Sequence, residues 1–408
     1  MSHSYSGNSI SSFSAYMLLS RSRRAGGFAS RDFNYNGGRI PLAEVLFKRV
    51  IKRQSIAVPT AEDYPQYRRA FQPTYDRVCA APAATEPLKT SRTRLKWVFA
   101  VDDAIDDMYA PMTKVALLSA LKYTSLVPVC IFSGAPNRKS RWLEEMGARV
   151  VFHTPTWREK LYEGFKKAEK LRLNHSSPLY DTFSMMLATW LRLDLGVLGF
   201  ADEYVLYADV DVLFRQDLGL ADFGVTLPQF FHMGTEIWVN NSDCGNGSQC
   251  GNAGVMLVNV RGLRRTHSAL IAATFSTGLI SQGLFFGAFG PGDQGALNRF
   301  YAGRFEVSHW PLFNWKPYWG HCAAAKIVHF HGPKPLDYLK PLSQATPLLK
   351  GLVAKCQRGG EKIPSARTLM PGLHSAEGAG GCLRLVRAWL QILTAPPSSG
   401  RRRTDAHN

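Results

Sequence analysis

The chain has no run of apolar residues approaching the roughly 20 that a membrane-crossing helix needs, so a soluble protein with no transmembrane segment is expected. It has only seven cysteines (Cys79, Cys130, Cys244, Cys250, Cys322, Cys356 and Cys382), scattered and with no C-x-x-C pair. That spacing excludes a disulfide framework and a cysteine zinc site. Cys244 and Cys250 alone bracket a short Gly- and Asn-rich loop and are placed to pair in an oxidising compartment. Acids are missing from the N-terminal segment, where the first is Asp32. Its Ser- and Arg-rich composition fits an organelle transit peptide and equally a disordered terminus. Sequons at Asn174, Asn240 and Asn246 would accept glycans in a secreted chain. The compartment stays open, with the cytoplasm favoured over an organelle or the Golgi lumen. No internal repeat is present.

Positive charge is what the chain has in excess, with 49 Lys or Arg against 31 acids and a net +18. Its placement matters more than its total. Residues 1–94 hold 15 basic residues against 6 acids and residues 341–408 hold 10 against 3, which leaves only +2 for the middle of the chain. The basicity belongs to the flanks, and no nucleic-acid partner is expected. Four regions follow: a disordered or targeting segment at 1–38, a helical extension and linker at 39–94, a catalytic domain at 95–340, and a basic, largely disordered tail at 341–408. The extension contains RIPLAEVLFKRVIKRQ, spaced as a basic amphipathic helix, and the tail contains CLRLVRAWLQIL, spaced as a docking helix.

Between these flanks, strand-like and helix-like runs alternate: KWVFAV, PMTKVALLSALKY, VPVCIF, KSRWLEEMG, ARVVFH, then the long helical run TFSMMLATWLRLDLGVL. The alternation predicts an α/β domain, a mostly parallel mixed sheet covered by helices. The next strand, YVLYADVDVLF, ends in acids. Asp209 and Asp211 are two residues apart, and a continuing strand would put both carboxylates on one face. Acids beyond a strand's carboxyl end point into the usual ligand crevice, and paired carboxylates suit a hard divalent cation.

Three later segments add chemistry. In GNAGVMLVNV, Asn252 offers a donor and an acceptor, while Ala253 and Gly254 allow close backbone approach. GPGDQGALNRF opens a helix with Asp293 and Gln294, and KIVHFHGPKP ends a strand with His329 and His331, then Gly332 and Lys334. An imidazole can complete a metal shell and a lysine can hold a phosphate.

In that order, these motifs resemble family 8 of the retaining glycosyltransferases, the glycogenin and bacterial lipopolysaccharide galactosyltransferase group, over about residues 95–340. The matching features are the AVDDA strand end, the YAP helix entry, the Arg-bearing helix TWLRLDLG, the D-x-D strand, NAGVMLVN, DQGALN and HFHGPKP. The resemblance implies a GT-A fold, a UDP-sugar donor, a carbohydrate or other hydroxyl acceptor, Mn²⁺ with Mg²⁺ as the alternative, and retention of anomeric configuration. It makes Asp209, Asp211 and His329 metal ligands. It puts Val101, Asp102, Asp103, Tyr109, Arg192, Asn252, Ala253, Gly254, Gly332 and Lys334 on the nucleotide and sugar, and Asp293 and Gln294 beside the reacting carbon. Two departures bear on particular residues. AVDDAIDDMYAP is longer than the family's spacing, so Asp106 and Asp107 compete with Asp102 and Asp103 for the nucleotide. HFHGPKP is one residue shorter than the common form before Lys334. Competing functions are a haloacid-dehalogenase-like phosphatase with Asp209 as nucleophile, and a non-catalytic nucleotide-sugar-binding protein.

Overall fold

The computed structural model describes residues 34–35, 38–39, 94–104, 109–171, 173, 181–224, 226–235, 251–290, 292–308, 311–319, 322–331, 334–335 and 381–393. The amphipathic segment at 39–54, Asp106, Asp107, Gly332, the Cys244–Cys250 loop and the three sequons lie outside them, apart from Arg39. Arg39 belongs to a two-residue antiparallel pairing of Asn34–Tyr35 with Gly38–Arg39.

The expected alternation is present. Strand β1 (Lys96–Asp102) is followed by helix α1 (Tyr109–Tyr123), β2 (Val127–Ser133), α2 (Arg138–Glu145), β3 (Arg149–Phe152) and α3 (Arg158–Lys170). Helix α4 (Phe183–Trp190) leads to β4 (Tyr204–Ala208), β5 (Val212–Phe214) and β6 (Phe231–Thr235). Strand β7 (Gly251–Asn259) precedes α5 (Val260–Thr274), α6 (Thr277–Ser281), α7 (Gly292–Phe300), β8 (Glu306–Ser308), β9 (Ile327–His329) and α8 (Gly381–Leu393). The main sheet has seven strands in the order β8-β6-β7-β4-β1-β2-β3. β1 pairs in parallel with β2 and β4, β2 with β3, and β6 with β8, while β7 runs antiparallel to both neighbours. The architecture is thus α/β with a mostly parallel mixed sheet, as the sequence predicts.

Strand periodicity divides the core between the two faces of the sheet. From β1, Trp97, Phe99 and Val101 pack on one face with Ala116, Leu117 and Ala120 of α1. Val98 faces the other side, against Trp157, Leu161, Trp190 and Leu263. Helix α8 forms as expected and docks on α1 and on the turn at Pro317–Trp319. Cys130 is a buried free thiol, and Cys322 is disulfide-bonded.

Three local features, the first two departing from the sequence expectation, shape the site. The helix expected over 182–198 ends as α-helix at Trp190 and tightens into a 3₁₀ turn over Leu191–Asp194. Asp194 anchors that turn from behind, accepting from Trp157 Nε1 at 2.8 Å and lying 2.6 Å from His153 Nε2 and 2.7 Å from His267 Nε2. The strand carrying Asp209 and Asp211 does not continue: β4 stops at Ala208, and β5 leaves the main sheet to pair antiparallel with β9. The two acids therefore sit in the step between two sheets. Lastly, Gly251 to Gly254 are fully buried in β7 opposite an irregularity at Met233 and Gly234.

Candidate metal and donor site

The step between β4 and β5 is pinned from both sides. Asp209 N donates to Gly254 O at 2.9 Å, and Asp211 O accepts from Phe330 N at 2.9 Å. Beside them, the end of β9 brings in His329, whose backbone N donates to Trp315 O at 2.8 Å. One ligand atom each from Asp209, Asp211 and His329 falls within a 4.8 Å group. Gly254 makes that approach possible, since a Cβ there would lie 2.1 Å from His329 Cε1.

These donors fit a divalent cation. Asp211 Oδ1 is buried, accepts no hydrogen bond, and lies 3.3 Å from His329 Nε2. The other ring nitrogen, Nδ1, lies 2.8 Å from Asn314 Oδ1. Burial first, and then the Lys316 ammonium, lower the His329 pKa to about 4, so the ring is neutral at physiological pH. A neutral ring has one nitrogen lone pair to offer a cation, and Nε2 is the ring nitrogen that faces Asp211 Oδ1. Two carboxylates and one imidazole make an oxygen-rich, borderline-hard set that suits Mn²⁺ or Mg²⁺.

The two acids are held differently. Asp209 Oδ1 accepts from Arg192 Nη2 at 2.8 Å and Tyr207 Oη at 3.1 Å, and about a quarter of its side chain (27%) stays exposed. Loss of solvation raises its pKa to about 7, with Asp211 and Asp293 adding to the rise and Arg192 opposing it. Asp211 is pulled well below the usual carboxylate range despite burial, because Lys334 and His329 face it. Lys334 Nζ lies 2.5 Å from Asp211 Oδ2.

Arg192 is buried in the 3₁₀ turn and gathers several elements. Its Nε–H donates to Thr189 O at 2.8 Å, Nη1 donates to Ala253 O, and Nη2 holds Asp209. Asp293 Oδ2 lies 2.9 Å from Nε as an ion pair, and the Tyr207 ring packs against the guanidinium at 4.5 Å. Asp293 is itself 2% exposed, and burial raises its pKa against the pull of Arg192. Gln294 Oε1 accepts from Ala253 N at 3.1 Å and Asn252 Nδ2 at 3.2 Å, tying the start of α7 to β7.

On the far side of β4, Asp102 caps β1 and Oδ1 accepts from Ala104 N at 3.0 Å and from Ser184 Oγ. Burial raises the Asp102 pKa, while the Asp103 side chain is exposed. Val101 buries its side chain in the core, and Tyr109 is half-buried at the start of α1. Of the sequence-predicted residues, Asp209, Asp211, His329, Lys334, Arg192, Asp293, Gln294, Asn252, Ala253 and Gly254 thus form one connected cluster. Asp102, Asp103 and Tyr109 belong to the neighbouring ends of β1 and α1.

The sequence reading passed over Ser184, Asn314 and Lys316. Of the aromatics around 309–322, Phe313, Trp315 and Trp319 are buried. Trp315 packs edge-on with Trp319 at 5.4 Å, and Phe313 stacks on Phe223 at 4.7 Å. They are core. A lysine between two tryptophans in FNWKPYW was the visible signal, because a charge inside such an apolar run needs buried partners.

No family model matches the chain and no curated protein matches it in sequence. Among solved structures, the chain is similar to the galactosyltransferase LgtC in complex with donor and acceptor sugar analogues, at 18% identity. That match covers 70% of this chain and 100% of LgtC, with a TM-score of 0.43. It is also similar to mouse xyloside xylosyltransferase 1 (17% identity, 59% and 98% covered, TM-score 0.39). A third is the glycosyltransferase GlyE of Streptococcus pneumoniae TIGR4 (16% identity, 60% and 56% covered, TM-score 0.38).

Proposed function

We propose that the chain is a metal-dependent glycosyltransferase of GT-A fold and family 8 type, moving a hexosyl or related group from a UDP-sugar to a hydroxyl acceptor with retention. The observation that carries this is the grouping of Asp211 Oδ1 and His329 Nε2, 3.3 Å apart, with Asp209 beside them at the strand end of an α/β sheet. Asp209, Asp211 and His329 would hold the cation, Mn²⁺ by preference and Mg²⁺ as the alternative. Bound there, a divalent ion would neutralise charge on a diphosphate leaving group.

The chain's own side chains supply the rest. Lys334 provides a second positive charge for the departing diphosphate, and Asp102 and Asp103 face the nucleoside at the end of β1. Gly332 belongs to the same diphosphate grip in this proposal, with Val101 and Tyr109 on the nucleoside side. Asn252, Ala253 and Gly254 line the sugar pocket, where the amide of Gln294 fixes Asn252. Arg192 acts mainly through the acids it holds, keeping Asp209 oriented and Asp293 ionisable next to the sugar site. The amide of Gln294 is a poor nucleophile, which favours acceptor attack on the leaving-group side, with the departing phosphate taking the acceptor's proton. Most of the rate gain is then positional and electrostatic. The disulfide at Cys322 supports an oxidising compartment over the cytoplasm.

The phosphatase alternative needs Asp209 as an unencumbered nucleophile, and its Oδ1 is engaged by both Arg192 and Tyr207. The test is a screen of purified protein against common nucleotide sugars with Mn²⁺, Mg²⁺ or chelator. Metal-dependent transfer or slow donor hydrolysis is expected. Absence of both across the panel, together with UDP binding, would leave the non-catalytic binding protein instead.

A further inference from the structure

Lys316 is fully buried, and its ammonium donates to Asn314 Oδ1 at 2.8 Å and Asn252 Oδ1 at 3.2 Å, with His329 Nδ1 lying 3.1 Å away. An ammonium only donates, and a buried one needs acceptors. The Asn314 amide must therefore turn its oxygen toward Lys316, because its NH₂ group there would set donor against donor. That leaves Nδ2 to donate to Asn252 Oδ1 at 3.0 Å. The same Asn314 oxygen lies 2.8 Å from His329 Nδ1. An amide oxygen only accepts, and its contact with the ring is shorter than the 3.1 Å from Nδ1 to the ammonium, so Nδ1 carries the hydrogen and gives it to Asn314, while the ammonium is satisfied by the two amide oxygens. With the proton on Nδ1, Nε2 presents its lone pair toward Asp211 Oδ1. The bond made by one imidazole nitrogen in this way decides what the other can ligate.

We propose that Lys316 is a positioning residue for the metal centre: by fixing the amide orientation of Asn314 it holds His329 in the Nδ1–H tautomer, which leaves Nε2 open to a cation. The proposal rests on the reading of Asp209, Asp211 and His329 as a cation site. The same ammonium also holds Asn252, whose amide nitrogen reaches Gln294, so metal ligand and sugar pocket share one buried donor. Gly234 belongs to the arrangement, since a Cβ there would lie 2.4 Å from Asn314 Nδ2.

The test is the tautomer of His329 in metal-free protein carrying ¹⁵N-labelled histidine, read by long-range ¹H–¹⁵N NMR and assigned with His329→Gln, followed by Mn²⁺ titration monitored by electron paramagnetic resonance. Wild type is expected in the Nδ1–H form. Lys316→Met should populate both tautomers and weaken Mn²⁺ binding about tenfold or more, as loss of an outer-shell partner does. Adding Asn314→Asp to Lys316→Met should restore the Nδ1–H form, because either carboxylate oxygen can accept, and a merely structural role for Lys316 would not show this rescue. An Nε2–H ring in wild type would overturn the proposal without any variant needing to fold. So would a Lys316→Met protein with unchanged tautomer and affinity. A wild-type Nδ1–H ring in protein that binds no Mn²⁺ would uphold the control by Lys316 and overturn the cation site.

Discussion

Asp211 Oδ1 lies 3.3 Å from His329 Nε2 and accepts no hydrogen bond, while its second oxygen is held by Lys334 at 2.5 Å. One carboxylate thus faces an imidazole nitrogen on one side and a cationic side chain on the other. Asp211→Asn should lower Mn²⁺ affinity about a hundredfold or more, read by calorimetric titration, because it removes a charged ligand. It should also destabilise the metal-free protein by roughly 2–3 kcal/mol in urea unfolding, less than a wholly buried pair would lose, since Lys334 is partly exposed. An unchanged unfolding midpoint would contradict the ion pair.

Gly254 leaves the space that the His329 ring occupies, with an added Cβ falling 2.1 Å from Cε1. Gly254→Ala forces the ring or the buried strand β7 to move. The expected result is Mn²⁺ binding about tenfold weaker or worse, with far-UV circular dichroism unchanged. Full affinity in this variant would show that His329 does not ligate.

Asp209 supplies the pH dependence, because its carboxyl is raised from 3.8 to about 7 in the metal-free protein. Below pH 7 a cation must displace a proton, so apparent Mn²⁺ affinity should rise about tenfold per pH unit up to that point and then level off. The same shift has the opposite consequence for metal-free stability. Between pH 4 and 7 the folded state keeps a proton that the unfolded chain has lost, so stability falls as pH rises across that window. His329, held at about 4, contributes an opposing slope below about pH 6.5. The Asp209 part is therefore read as the difference between wild type and Asp209→Asn, which should lack both the affinity slope and its share of the stability slope.

Among the described residues, Arg192 forms ion pairs with both Asp209 and Asp293. Arg192→Met leaves two carboxylates unpaired, and a loss of about 3–5 kcal/mol at pH 8 is expected from urea unfolding. Adding Asp293→Asn should recover part of it. Equal stability of wild type and Arg192→Met would mean that the pairs contribute nothing.

The layers of the fold were legible because alternating strand and helix patterns carry their own periodicity, and β1 shows it plainly, with Trp97, Phe99 and Val101 on one face and Val98 on the other. The acids were legible as residue types in an ordered series. What the sequence did not disclose was tertiary. The break after Ala208 arises because β5 pairs with β9, some 110 residues on, and no local signal in ADVDVLF marks it. Asn314 and Lys316 were hidden for a related reason, since their meaning depends on Asn252 and His329, which the chain brings beside them only on folding. The burial of Phe313, Trp315 and Trp319 shows the same limit from the other side, for aromatic composition alone does not tell a sugar-stacking surface from core.

The most direct test of the whole account is calorimetric UDP binding with and without Mn²⁺ in wild type, Asp209→Asn and His329→Gln. UDP binding to wild type that is lost on chelation, and lost in both variants while they remain folded, is the predicted result. UDP bound equally well with chelator present, or by either variant, would contradict a cation held by Asp209, Asp211 and His329.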